Sequence, residues 1–448
     1  MINGYLSKRE FAPVIARAWK YLTETALQKS GKVGYVQPIG ERAIPGQRVG
    51  TNSEANFGVG AFLLAACEYY RMLQTKTGVL TLSNESGQQR QEVVEVDWQR
   101  ICQLLDIGGD EQIVIENAIG QEVAYQKTYD GKLLLYASLQ PYGKTDYTLV
   151  KGKPATAKAY VCGKQYAIRK DDLAWENDLG IYRVYGPALQ KTGERSFGTD
   201  VWVKNTPELV MEERYLSDYR GNVMEDSLKR AGQKVALKEV DLTTSFHVDH
   251  GNGMDAYSVG PSLGCGAPAL MRDGQLVFPY CYQDYKIRDN GPLRFTVELT
   301  YAPHADGITE HRIISLDRGS HFNRMTVWYD GIQDSVTLAT GVVLHNDDQP
   351  ILAKQYVLYA DPTDTPAVHQ SQIFVGTLFP HGVDETLLLR GKPDHALGLV
   401  RHYTGTPYSY YFGSAWSGYD IRSMAQWQLA ANEFLQQLAH PIKFIIHP

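Results

Sequence analysis

Between Phe246 and Ala267 the chain gathers His247, Asp249, His250, Asp255 and Tyr257 among glycines at 251, 253, 260, 264 and 266. Imidazoles exchange protons near neutral pH, a phenol can donate one, and glycines let backbone approach a ligand closely. All twelve histidines lie at or after 247, so an imidazole catalyst must come from this stretch or from residues C-terminal to it. The same residues allow two other readings. His247, Asp249 and His250 could together hold a divalent metal, since imidazole and carboxylate suit zinc or manganese, although their spacing matches no strong motif. Alternatively, both histidines could simply bond backbone in a loop. Cys265 stands between two glycines, but no signature of thiol catalysis surrounds it.

In an extended chain 247 and 249 share one face and 250 points the other way, so the loop must turn to bring both imidazoles together. Asn252-Gly253 permits that turn. From Val93 onward apolar residues recur with period two. Candidate strands are 93–98, 112–116, 122–126, 132–139, 157–162, 180–185, 201–204, 294–302, 312–316, 322–329 and 335–344, with Asp-Gly or Asn-Gly at 130, 252, 273, 290 and 330. So many strands predict a mainly β chain, a large antiparallel sandwich over residues 92–448. Helix is expected at 207–219 and 426–438. At the front, Ser7 and Glu10 form a capping-box pattern before Phe11, Val14, Ile15, Ala18, Trp19 and Leu22 at helical spacing, and Val59–Leu73 reads as a second helix. Two helices cannot bury their own apolar faces, so residues 1–75 are expected to pack on the rest of the chain or form an oligomer contact. The Thr-, Ser-, Gly- and Gln-rich run to residue 91 reads as a linker over 76–91.

The length of 448 residues leaves room for more than one core. A net charge of −6 gives no general attraction to nucleic acid or anionic membranes, so an anionic partner needs a local cationic pocket. Twenty-nine tyrosines and seven tryptophans suit strands and also supply flat faces for sugars. The five cysteines are odd in number and widely spaced, which predicts free thiols. The first ten residues hold no apolar signal core and no run is long enough to span a bilayer, so the chain as given reads as soluble and cytoplasmic, or periplasmic if its native start lies upstream.

Gly34-Tyr-Val-Gln-Pro-Ile-Gly40 and Asn56-Phe-Gly-Val-Gly-Ala-Phe-Leu-Leu-Ala65 resemble the C-terminal end of the unsaturated glucuronyl and rhamnogalacturonyl hydrolases, which fold as an (α/α)6 barrel. Only the last helices of that family are matched. Its catalytic aspartates lie in the unmatched portion, and the hydrolase activity is not carried over. From about residue 90 to 448 the chain resembles the bacterial domain-of-unknown-function family 4861, which includes an oligosaccharide dehydratase of ulvan degradation. The residues that carry this are Arg169-Lys-Asp-Asp-Leu-Ala-Trp-Glu-Asn-Asp178, Tyr185-Gly-Pro-Ala-Leu189, Asp200-Val-Trp-Val-Lys204, the 246–267 stretch, Gly291-Pro-Leu-Arg294 and Tyr410-Tyr-Phe-Gly-Ser-Ala-Trp416. The resemblance implies a galactose-mutarotase-like β-supersandwich. It also implies elimination of water from a non-reducing-end glucuronate to leave a 4,5-unsaturated uronate. A dehydratase would make the sugar that the hydrolase family removes, so the two resemblances support one another.

Such an elimination takes a proton α to a carboxylate and expels hydroxide. It needs a cation on the carboxylate, a base at C5 and an acid at O4. His247, His250 and Tyr257 are the candidates for base and acid. Arg169 and Lys170, beside Trp175, Glu176 and Asn177, are the candidates for holding the uronate, unless they are a surface charge cluster beside a core tryptophan. Lys204, His321, His402 and Trp416 complete the sugar-contacting set, His321 and His402 reading equally well as polar strand ends. Two rival functions remain: a lyase, which abstracts the same proton but expels a sugar, and a non-catalytic sugar-binding module.

Overall fold

The computed structural model describes residues 8–37, 48–74, 76–347, 349–362 and 371–448. Ser7 of the capping-box pattern lies outside them, and so do residues 38–40 of the first hydrolase-like motif. Strand alternation organises most of the rest. In Arg294–Tyr301 and Thr309–Asp317 every second side chain is buried, and these strands pair antiparallel as the second and third members of an eight-stranded sheet. A five-stranded sheet around Cys265–Arg272, Val336–Leu344 and Asp394–Tyr403 faces it. The apolar residues of both sheets, among them Phe295, Val297, Met325, Leu338, Val342 and Phe412, form one core. A four-stranded sheet, Cys162–Tyr166, Asp172–Glu176, Gly180–Val184 and Asp200–Val203, adds Trp175 and Tyr182 to the same core. The mainly β sandwich of antiparallel sheets expected from the sequence is the architecture observed.

Three expectations change. The proposed linker 76–91 holds the strand Thr77–Ser83, in which Leu80 and Leu82 point inward; alternation outweighs the polar composition. It belongs to a separate, smaller sandwich with its own core of Leu80, Val96, Ile101, Leu133 and Leu149, closed by Lys443–His447 pairing along Thr77–Ser83. Trp98 begins a helix, Trp98–Leu105, because Asp97 caps it by accepting from the backbone N–H of Gln99 and Arg100. Residues 157–161 form no strand, and pairing begins only at Cys162.

The expected helix at 207–219 runs as Met211–Arg230 and is followed by another, Lys234–Thr244, which folds back against it. In the front segment Trp19 stacks on Phe62 and Tyr69, joining Lys8–Tyr21 to Asn56–Gln74. Leu63, Leu64, Tyr70 and Leu73 nevertheless stay exposed, so the pair does not bury its apolar surface by itself. Among the described residues no helix is long and apolar enough to cross a membrane, and all five cysteines are free.

Candidate active site

The loop after Lys234–Thr244 is held from three sides. Arg214, on the long helix and 6% exposed, aims one guanidinium nitrogen at the carbonyls of Phe246, Val248 and Gly253, at 3.1, 2.5 and 3.0 Å. Asp249 accepts the N–H of Gly251 and Gly253 through one oxygen. Met254 exchanges both backbone bonds with Val203. Gly253 is required there, since its φ is +103° and a Cβ would stand 1.9 Å from the Val203 carbonyl oxygen.

This loop presents His247 to solvent, with its side chain 60% exposed and its ring edge-on to buried Phe246. Its Nδ1 lies 2.9 Å from the carbonyl oxygen of Asp255. A carbonyl only accepts, so Nδ1 carries the hydrogen and Nε2 of the neutral ring keeps a lone pair. His250 is exposed and similarly donates Nε2–H to the Ser245 carbonyl at 3.0 Å. Both histidines are thus oriented by backbone with one nitrogen left over for chemistry.

Arg169 ends a short helical turn, Ala167–Arg169, and the next two residues, Lys170 and Asp171, both take left-handed backbone (φ 53° and 63°). That strained corner is pinned by the 185–189 motif. Leu189 N–H bonds the Lys170 carbonyl, Ala188 N–H bonds the Asp171 carboxylate, and a Cβ on Gly186 would meet the Asp171 carbonyl oxygen at 2.1 Å. Arg169 is half-buried, and its Nη1 is buried without a hydrogen-bond partner. Its charge reaches Asp218, whose carboxyl also feels His247 and accepts the Phe246 N–H; burial still raises the Asp218 acid above its usual range. Arg169 and His247 therefore both act on Asp218, one from its turn and the other from the loop. Lys170 is exposed beside Arg169.

Several proposed sugar contacts are buried structure instead. Trp175 is fully buried and donates to Asn323. Glu176 caps the long helix from a distance, accepting the N–H of Val210 and Met211 at 3.1 and 2.8 Å, and Lys204 pairs with it at 2.8 Å while donating to the Asn177 carbonyl. Asn177 donates to the Asp317 and Ser320 carbonyls and accepts from Leu179 and Gly180. None of these four is more than 1% exposed, so none can touch a ligand. Trp416 is buried with its indole on Ser371.

Tyr257 also departs from expectation. It is buried in the main core beside His345, and burial lifts its phenol well above the ordinary value, so it cannot deliver a proton to a sugar in the loop's solvent face. The metal set fails on geometry: Asp249 is committed to the loop's own N–H groups, and among the described residues no three His, Cys, Asp or Glu are placed to hold a metal ion together. His321 bonds the Ser414 carbonyl and Asp420 with its two nitrogens and opens on a different cavity of about 670 Å³, whose lining includes none of residues 246–257. His402 sits exposed at a strand end with φ 53°. Cys265 is buried on the Gly413 carbonyl, its thiol pushed up to about 12 by burial, which rules out a thiolate nucleophile.

Beneath His247 lies a group that sequence reasoning does not single out. Arg183, 4% exposed, faces three buried carboxylates: Asp172 at 3.3 Å, Asp255 at 2.9 Å and Asp200 in closer contact still. Tyr215 donates to Asp172 and Trp202 donates to Asp200. The chain does carry one clue: a lone arginine within the otherwise uncharged strand Gly180–Val184 demands buried anions around it.

Comparison with known proteins places the chain among its relatives. It is 26% identical over 334 residues, 70% of its own length and 78% of the relative's, to "Uncharacterized protein P7" of Formosa agariphila. Over 70 residues it is 37% identical to an unsaturated 3S-rhamnoglycuronyl hydrolase of the same organism, 16% of this chain and 18% of that one. Residues 1–73 match Glycosyl Hydrolase Family 88. Among solved structures, a Glycosyl Hydrolase Family 38 protein from Enterococcus faecalis superposes with a TM-score of 0.47 at 10% identity. It covers 88% of this chain, which spans about half (51%) of that one, and the likeness is too distant to carry an argument. The matches point to glycan processing. Residues 82–444 match a single family model along their whole length, and the chain belongs to that family, described as Domain of unknown function (DUF4861).

Proposed function

We propose that the chain removes water from a non-reducing-end glucuronate of an anionic, ulvan-type oligosaccharide, leaving a 4,5-unsaturated uronate. The carrying observation is the exposed His247, whose Nδ1–H is fixed on the Asp255 carbonyl so that Nε2 is left as the base, with Arg169 and His247 both acting on Asp218. Arg169 holds the carboxylate as charge moves onto it, Nε2 of His247 takes the C5 proton, and His250, entering the reaction as imidazolium, gives its Nδ1 proton to the departing O4 so that it leaves as water. The short stretch similar to an unsaturated rhamnoglycuronyl hydrolase supports the reading, because that relative's name specifies an unsaturated sugar. Residues 1–75 carry no part of this site in our reading and serve as a contact surface through Leu63, Leu64 and Tyr70.

Mass spectrometry of glucuronate-capped oligosaccharides after incubation is the test. Dehydration gives a product lighter by one water, a lyase gives two fragments, and a binding module gives no change. Arg169→Lys is expected to raise KM and lower kcat/KM by roughly 10-fold or more, because an ammonium does not reproduce a bidentate guanidinium on a carboxylate. Unchanged kinetics in that variant would remove Arg169 from the site.

A further inference from the structure

Three carboxylates and one guanidinium are an unbalanced set to bury. Asp172, Asp200 and Asp255 are each at most 2% exposed, and Arg183 between them is 4% exposed. Its flat face is enclosed by the rings of Tyr185, Trp202 and Phe246, at 5.2, 5.1 and 5.6 Å. Even with one proton shared among the three acids, the cluster keeps an excess negative charge away from water, which is unfavourable for stability. Such an arrangement persists where it serves something else. An exposed titratable ring lies against it: His247, whose Nδ1 is 3.6 Å from Asp255 Oδ2 as well as 2.9 Å from the Asp255 carbonyl oxygen.

We propose that Asp255 is the positioning residue of the site: its carbonyl sets the His247 tautomer, and its carboxyl, held on Arg183, stabilises the imidazolium formed when Nε2 accepts the C5 proton. The inference rests on the dehydration reading above. The proton passes from C5 to Nε2, the C–H electron pair moves toward the carboxylate held by Arg169, and the positive charge created on the ring finds the cluster's negative charge behind it. Other charged groups are linked to the same pair: Asp172 and Asp200 act on Asp255 from their strands, Arg214 on the long helix feels Asp255, Asp218 and Asp249, and Asp218 feels His247 and Arg169.

Burial and mutual repulsion raise the Asp172 and Asp255 acids above the ordinary carboxyl value. A raised acid contributes stability that is fully present below the unfolded value near ~3.9 and is lost as pH rises through the folded one. Asparagine, which has the shape of the protonated acid, escapes that loss. Asp255→Asn should therefore keep the wild-type Tm at acidic pH and equal or exceed it, by roughly 2–4 °C, at pH 8. Its kcat should fall by about 10²-fold with KM unchanged. The acid limb of the kcat profile should move to lower pH, because a ring without an anion behind it is harder to protonate. In a His247→Ala background the same substitution should have no further effect on turnover.

A Tm lowered by several degrees, an equal loss of rate in the His247→Ala background, or turnover like wild type would each overturn the proposal. Failure of the dehydration reading looks different: the wild-type chain itself releases no water from any such oligosaccharide. The thermal arm then decides alone, and an Asp255→Asn protein less stable than wild type at pH 8 makes Asp255 a structural residue.

Discussion

Alanine in place of His247 is expected to lower turnover by ~10²–10⁴-fold, the usual effect of losing a general base, with circular dichroism unchanged. The size comes from what the ring is and is not doing. It is 60% exposed and makes one backbone hydrogen bond, so its loss opens no cavity and leaves only the Asp255 carbonyl without that donor. What disappears is the Nε2 lone pair assigned to the C5 proton. His250→Ala is the companion variant, since that ring is tethered to Ser245 in the same way. Near-normal rates in both would take these residues out of the mechanism and turn attention to His321 and its separate cavity.

Arg214→Ala should give the largest loss of stability at the site, ~3–5 kcal/mol, because it removes a buried charge whose partners cannot rearrange. Three carbonyls of one loop depend on a single guanidinium nitrogen, and truncation strips all three at once. Thermal unfolding would register the loss. Hydrogen exchange should show it concentrated in residues 246–254, with strands such as Arg294–Tyr301 as protected as before. An unchanged melting temperature would mean that the glycine turn and the Asp249 bonds hold the loop without Arg214.

Sequence periodicity locates well the strands whose burial alternates. Arg294–Tyr301 and Phe322–Asp330 lie within a residue or two of expectation. Ile373–Leu378 escapes such a reading because both its faces are buried, leaving no alternation to detect. Lys234–Thr244 escapes it for the opposite reason, having no fully buried residue. At the site, residue type is legible and burial is not. His247 and His250 can be picked out because their chemistry is on the surface. Glu176 and Lys204 look the same in sequence, yet their charges cap a helix and satisfy each other inside the protein. Local spacing cannot reveal a helix start that receives its cap from a residue thirty-five positions earlier.

The pairing of Lys443–His447 along Thr77–Ser83 bears on how the chain is made. On the ribosome Thr77–Ser83 emerges with one neighbour, Lys144–Lys151, soon to follow and the other separated from it by nearly the entire protein. Until synthesis reaches residue 443 its outer edge offers unpaired N–H and C=O groups to any other nascent strand. A polysome carrying several such chains would present several open edges at close range. Slowed translation late in the message, or a chain cut short before Lys443, should therefore lead to aggregation through the small sandwich while the large one, with His247 and Arg169, is already folded.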